Sequence, residues 1–213
     1  MSIKNRQILV AGILAGSLWG FSEVVLGAFV KSAALPMRGT MMTAIGIGIL
    51  FAAFALRRSI AVVALAVLTT LTIKIVCAVY LGGLDSIINS SLAVLLEGSA
   101  IVLAVTLLRN VFVNTALFRS ALTAIAIFGA GSLFYIIGSR LAPCPYLKSL
   151  SAAQFLLHET LPWSIFSALT APLGYFVGLT LKKHTSEDSV LTAPALLTTA
   201  GCWIACAVTV ILS

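Results

Sequence analysis

Polar and apolar positions in this chain fall into long blocks instead of alternating residue by residue. Seven apolar runs stand out: Ile8–Val30, then about Thr40–Leu56, Ser59–Leu81, Ile87–Leu108, Phe118–Gly138, Gln154–Leu181 and Ala193–Leu212. A helix needs about 20 apolar residues to cross the hydrocarbon of a bilayer. The first run has 23 residues and one charge, Glu23, and is long enough. No run shows the two-residue alternation of a membrane barrel strand. The pattern predicts an all-α integral membrane protein, a bundle of six to seven transmembrane helices in one domain over 1–213. The core bundle is placed at about 8–181, with an additional C-terminal helix at about 193–212. The run Thr40–Leu56 is short and holds Gly46 and Gly48, which predicts a tightly packed helix.

The first run organises the rest. Gly12, Gly16, Gly20 and Gly27 fall within about 80° of one another on a helical wheel, with Trp19 and Glu23 on or beside that arc. A face of small residues lets a second helix come close, so this face is expected to pack on protein, not lipid. Glu23 then lies in the bundle interior or in a cavity. Ala11 and Ala15 form a second small-residue stripe, expected to be a separate, smooth surface.

Composition agrees with the pattern. Of the residues, 61% are hydrophobic and 9% charged, against about 25% charged in soluble domains. The spans use nearly the whole chain and leave no room for a soluble catalytic domain. The net charge of +7 does not point to nucleic acid, because the basic residues sit mainly at span ends, where they act as topology signals. An inside N-terminus gathers Lys4, Arg6, Arg57, Arg58, Arg109, Arg119, Lys182 and Lys183 on the cytoplasmic side. Lys31, Arg38, Arg140 and Lys148 then lie outside, and this eight-to-four split favours that orientation. The first run is too long, and too interrupted by Trp19 and Glu23, for a cleaved signal. Cys77, Cys202 and Cys206 lie inside apolar runs, so no disulfide framework can be read.

The charges inside the spans then share one side of the membrane. Glu23 and Lys74 each lie seven residues from an outer helix end, roughly 10 Å deep at 1.5 Å per residue, and Glu97 lies close to mid-membrane. His158 and Glu159 start the sixth span, and Arg38 and Arg140 flank the same mouth. An ionised group at a helix centre costs about 2.5–3.5 kcal/mol on insertion scales and usually faces a cavity or a partner. These residues therefore predict an outward-opening polar pocket for a small polar solute, with Thr70 and Ser90 as polar neighbours. The plain alternative is an ion pair, Lys74–Glu97 or Lys74–Glu23, that only sets helix register. A proton or ion relay is a third reading. Trp19 is carried as a lining candidate, although packing or interface anchoring is the plainer role for it, as for Tyr135 and Trp163.

Sharper motifs fail. His158-Glu159-Thr160-Leu161-Pro162 begins like the zinc-protease motif but has Pro162 where the second histidine belongs. No nucleophile has a recognisable base and orienter, and no phosphate-binding G-x-x-x-x-G-K-[ST] occurs. Cys202 and Cys206 share a helical face, with packing as the ordinary explanation. Cys144, between Pro143 and Pro145, is a candidate pocket cap. No catalytic residue, metal or cofactor is expected.

A small, very apolar bundle with an inside N-terminus, an outward pocket and Ala11-x-x-x-Ala15 in its first helix resembles the substrate-binding S component of energy-coupling factor transporters. The likeness covers about residues 1–183, and the seventh run departs from the family's six helices. It implies capture of a vitamin-like micronutrient, with energy supplied by a separate membrane coupling subunit and its ATPases. It also implies that Ala11 and Ala15 contact the coupling subunit, and that the loop Lys31–Gly39 acts as a lid. Two other readings stand beside it: a stand-alone proton- or ion-coupled carrier, and a membrane enzyme or assembly factor using Glu23, His158 and Glu159.

Overall fold

A computed structural model of the chain describes residues 2–33, 37–80, 85–108, 115–141, 144–184 and 193–212. Every regular element among them is helical. The first span is α1 (Ile3–Phe21), a π-helical turn (Ser22–Leu26) and α2 (Gly27–Ser32) in one unbroken run. Then come α3 (Arg38–Arg57), α4 (Ile60–Tyr80), α5 (Asp85–Leu107) and α6 (Ala116–Leu141). The short helix α7 (Pro145–Ser149) leads to α8 (Ala152–Phe155), a second π turn (Leu156–Thr160) and α9 (Leu161–His184), with α10 (Ala193–Leu212) last. The chain is an all-α membrane bundle: six of its helical runs are long and apolar enough to cross a bilayer. In α10 the apolar part with described side chains, Pro194–Thr209, falls short of that length.

Local chemistry sets the helix ends. The Ser2 hydroxyl accepts the Asn5 N–H at 3.3 Å and caps α1, satisfying a donor that the first helical turn leaves free. Arg58 takes the left-handed conformation (φ 49°) and donates its N–H to the Phe54 carbonyl, which stops α3. At α8, Ser151 and Gln154 form a reciprocal capping box, so the turn leading into the sixth span is fixed.

Six spans close into a ring in the order α1, α4, α5, α6, α9, α3 and back to α1. Small residues decide which neighbours touch. A methyl group added at Gly12, Gly16 or Gly20 would come within 2.6 Å of Leu65, Ala66 and Thr69, or Ile73, so the glycine face of α1 lies directly on α4. Gly174 and Gly178 bring α9 onto the backbone of α3 at Gly48 and Ala52. The α3 helix is the most enclosed, with 61% of its span buried against 28–44% for the others. That matches the tight packing expected from Gly46 and Gly48. Helix α10 lies outside the ring against α1, α4 and the first π turn, where Trp203 donates to the Ser17 hydroxyl at 3.1 Å and Cys206 joins a small core with Ile73 and Cys77.

The fold corrects the expectation that Ala11 and Ala15 form a separate, smooth surface. Both residues are buried, at 4% and 5% exposure, in the main core. Positions 11, 15 and 19 follow one line along a helix at about 40° per step, and that line ends at Trp19, whose indole fills the space over Gly46 of α3. In this structure the alanines are part of the bundle's own packing and present no free surface to another subunit.

Candidate functional site

The ring holds an open cavity of about 590 Å³ toward the end of the bundle opposite the start of α1. Its walls come from the end of the first span, the start of α3, the last turns of α4, the first half of α5, α6, and the entry to α9. The exposed members Met37, Arg38 and Tyr146 mark the mouth.

Two carboxylates enter it from π turns. Glu23 lies in Ser22–Leu26 and Glu159 in Leu156–Thr160. A π turn adds one residue to an α-helical turn and so rotates the side chains around it; such turns recur at functional sites. The extra backbone demand at the first is partly met within the helix: the Ser22 hydroxyl donates to the Trp19 carbonyl at 2.7 Å. At the second, Thr160 packs where Gly131 of α6 leaves room, and a methyl group at Gly131 would lie 2.7 Å from its Cγ2.

The charges are placed unequally. Lys74 Nζ donates to Glu23 Oε2 at 2.5 Å, and the two side chains are 5% and 10% exposed. This pair joins α4 to the first span, across the same interface as the glycine face. Glu97, 3% exposed, accepts a hydrogen bond from the Thr43 hydroxyl at 2.8 Å, which links α5 to α3 across the ring. Glu159 accepts from the Tyr146 hydroxyl and ties α7 to the second π turn at the mouth. Lost water contact, the hydrogen bond to Glu159 and that carboxylate's charge hold the Tyr146 phenol above its usual range. The phenol therefore remains a donor at neutral pH, although half of the side chain reaches solvent.

An aromatic wall completes the cavity. Phe134 and Phe155 stack with centroids 5.9 Å apart, and Trp163 meets Phe155 edge-on at 5.9 Å. The indole of Trp163 lies on Gly39, and its ring N–H has no hydrogen-bond partner among the described residues.

Of the residues singled out from sequence, Glu23, Lys74, Glu97, Arg38 and Glu159 line this one cavity, as do Ser90 and Cys144. Three do not. Trp19 is fully buried against Gly46, outside the lining. Arg140 is exposed on α6, because that helix turns its Arg119, Thr123, Ile127, Phe134 and Gly138 face inward. His158 is exposed while its neighbour Glu159 faces the cavity, as successive positions in a helical turn point in different directions. Thr70, expected beside the site as a polar neighbour, instead bridges helices by donating to the Gly16 and Ala66 carbonyls. Residues 34–36 of the expected lid loop, and Pro143, lie outside the described residues.

Thr43, Asn89, Tyr146, Phe134 and Phe155 also belong to the lining, and no sequence motif singles them out. Hydroxyl and aromatic side chains are common in any membrane helix. Only the buried line Thr40, Thr43, Ile47, Leu50 on α3 carries a signal, a three-to-four-residue spacing that marks one inward face. None of the protein-family models, curated proteins or solved structures compared with this chain matches it.

Proposed function

We propose that this chain is a multi-pass protein of the cell membrane, with a cytoplasmic N-terminus, that binds a small polar solute for uptake. The observation that carries the reading is the cavity itself. It has exposed side chains at its mouth, Met37, Arg38 and Tyr146, and buried charges, Lys74 and Glu97, in its lining. Its volume falls in the range of about 300–1,000 Å³ usual for small-molecule sites. Buried charge within a membrane span is costly unless it serves a partner or a ligand.

The likeness to energy-coupling factor S components supplies the first reading of how uptake is driven, by a separate ATPase module. The burial of Ala11 and Ala15, together with α10 lying against α1, favours a second, a stand-alone carrier. An enzyme using Glu23, His158 and Glu159 together finds little support, since His158 faces away from both carboxylates' cavity.

Uptake can be tested while the solute is still unidentified. Cells carrying the chain, and cells carrying Ala93→Trp, which fills the cavity, are grown in a mixed defined medium. The reading expects one or a few small polar compounds to be depleted faster by the unaltered chain alone. Identical depletion by both would contradict it. Repeating the uptake in liposomes containing only this chain separates the two drivers: accumulation there favours the stand-alone carrier.

A further inference from the structure

The geometry points to a flat, ring-bearing organic cation or zwitterion as the solute, its protonated amine or amidine seated on Glu97 and its ring against the Phe134–Phe155–Trp163 wall. This rests on the proposed binding role of the cavity and adds the chemical class of its occupant.

Charge balance comes first. The lining carries three carboxylates, Glu23, Glu97 and Glu159, against two cations, Lys74 and Arg38. Lys74 is already matched at 2.5 Å by Glu23, so the wall pair has no charge left for a ligand. Glu159 shares its charge with the Tyr146 hydroxyl near the mouth. Glu97 differs. It is 3% exposed, lies in the lining, and among the described residues has only the neutral Thr43 hydroxyl as a hydrogen-bond donor. In its ionised form such a buried carboxylate has no cation bonded to it, and an incoming cation supplies one through a charge-assisted hydrogen bond that favours that form.

Shape comes second. Three aromatic rings within 5.9 Å of one another form a rigid apolar surface. Such faces accept a flat ring by offset or edge contact and attract positive charge through their quadrupole. An anion would meet the electron-rich ring faces and would offer Glu97 no counter-charge. At the mouth, Arg38 is exposed and lines the cavity. It suits an anionic group on the far end of the solute, which extends the class to zwitterions.

The test uses four probes on one ring: benzylamine, 4-(aminomethyl)benzoate, benzoate and benzyl alcohol, added to the purified full-length chain in detergent. Binding is read by calorimetry and by the unfolding temperature. Benzylamine and 4-(aminomethyl)benzoate are expected to bind, with benzoate and benzyl alcohol at least tenfold weaker. Glu97→Gln is expected to weaken the two amines at least tenfold, and Arg38→Gln to weaken only the zwitterion. Benzoate or benzyl alcohol binding as well as the amines would overturn the class. So would amine binding that is unchanged in a folded Glu97→Gln protein. The probe series on the unaltered chain decides the matter even where that variant does not fold. Ala93→Trp separates the two levels of failure. If benzoate or benzyl alcohol binds and is lost in Ala93→Trp, the cavity remains a binding site and the cationic class is wrong. If no probe binds, or if binding survives Ala93→Trp, the class is overturned, while the cavity's binding role stands or falls by the depletion test.

Discussion

Lys74 and Glu23 meet at 2.5 Å in a wall that is almost closed to solvent, and this makes their roles separable by mutation. Lys74→Met leaves the Glu23 carboxylate buried without its cation, a change worth about 3–5 kcal/mol of stability. The double variant Lys74→Met with Glu23→Gln removes the stranded charge and is expected to recover most of that loss. Denaturant unfolding of the three proteins checks this, and a double variant no more stable than the single one would mean the pair does not stand as described. That ionisable groups matter here is legible from sequence, because charge inside a span is rare and costly. Depth is legible too, since it follows from counting residues. Rotation is not, and rotation decides that Lys74 pairs with Glu23 while Glu97 takes Thr43. Arg140 and His158 fail as pocket residues for the same reason: both have the right height and the wrong direction.

Helices in this bundle are chosen as neighbours by their small residues. With no hydrophobic drive between helices in lipid, close van der Waals packing supplies much of the attraction. Gly16 of α1 has the Ala66 carbonyl and Thr69 Cβ within 2.5 Å of where a methyl group would sit, whereas Gly129 of α6 has nothing within 4 Å. Gly16→Leu should therefore destabilise the protein by at least about 1–3 kcal/mol, the usual range for overpacking, while Gly129→Leu should leave the unfolding temperature nearly unchanged. Ala11→Trp with Ala15→Trp belongs to the first class. Because both alanines are buried, folding and solute binding should fall together. Loss of uptake with folding and binding intact would instead reinstate them as a docking surface. The glycine face is readable from spacing alone, and so is its burial against protein. The π turns are not: no residue in Ser22–Leu26 or Leu156–Thr160 distinguishes a π turn from an α turn, and tertiary packing selects it.

The described residues form a ring of six spans with a further helix outside it, and the sidedness proposed for the molecule rests on its basic residues. In the orientation proposed above, the N-terminal side, which carries the larger share of them, is cytoplasmic by the positive-inside rule, and the cavity mouth faces out. A cysteine introduced at Lys148, an exposed position on α7, in a chain with Cys144→Ser and the buried Cys77, Cys202 and Cys206 also replaced by serine, should react with a membrane-impermeant maleimide in intact cells. Protection until lysis would reverse the orientation. Class and span count are legible because hydrophobic length is a direct physical requirement of the bilayer. The ring order is not, since adjacency depends on which faces meet. Nor is the place of α10: its run is as apolar as the others, yet it packs on α1 beside Ser17 and Cys77, against the outside of the bundle.

Native mass spectrometry of the chain released from mild detergent tests the binding role of the cavity most directly. The unaltered protein is predicted to carry one small polar molecule per chain, and folded Ala93→Trp to carry none. A chain that is always empty, or one whose bound molecule persists undiminished in Ala93→Trp, would contradict that role.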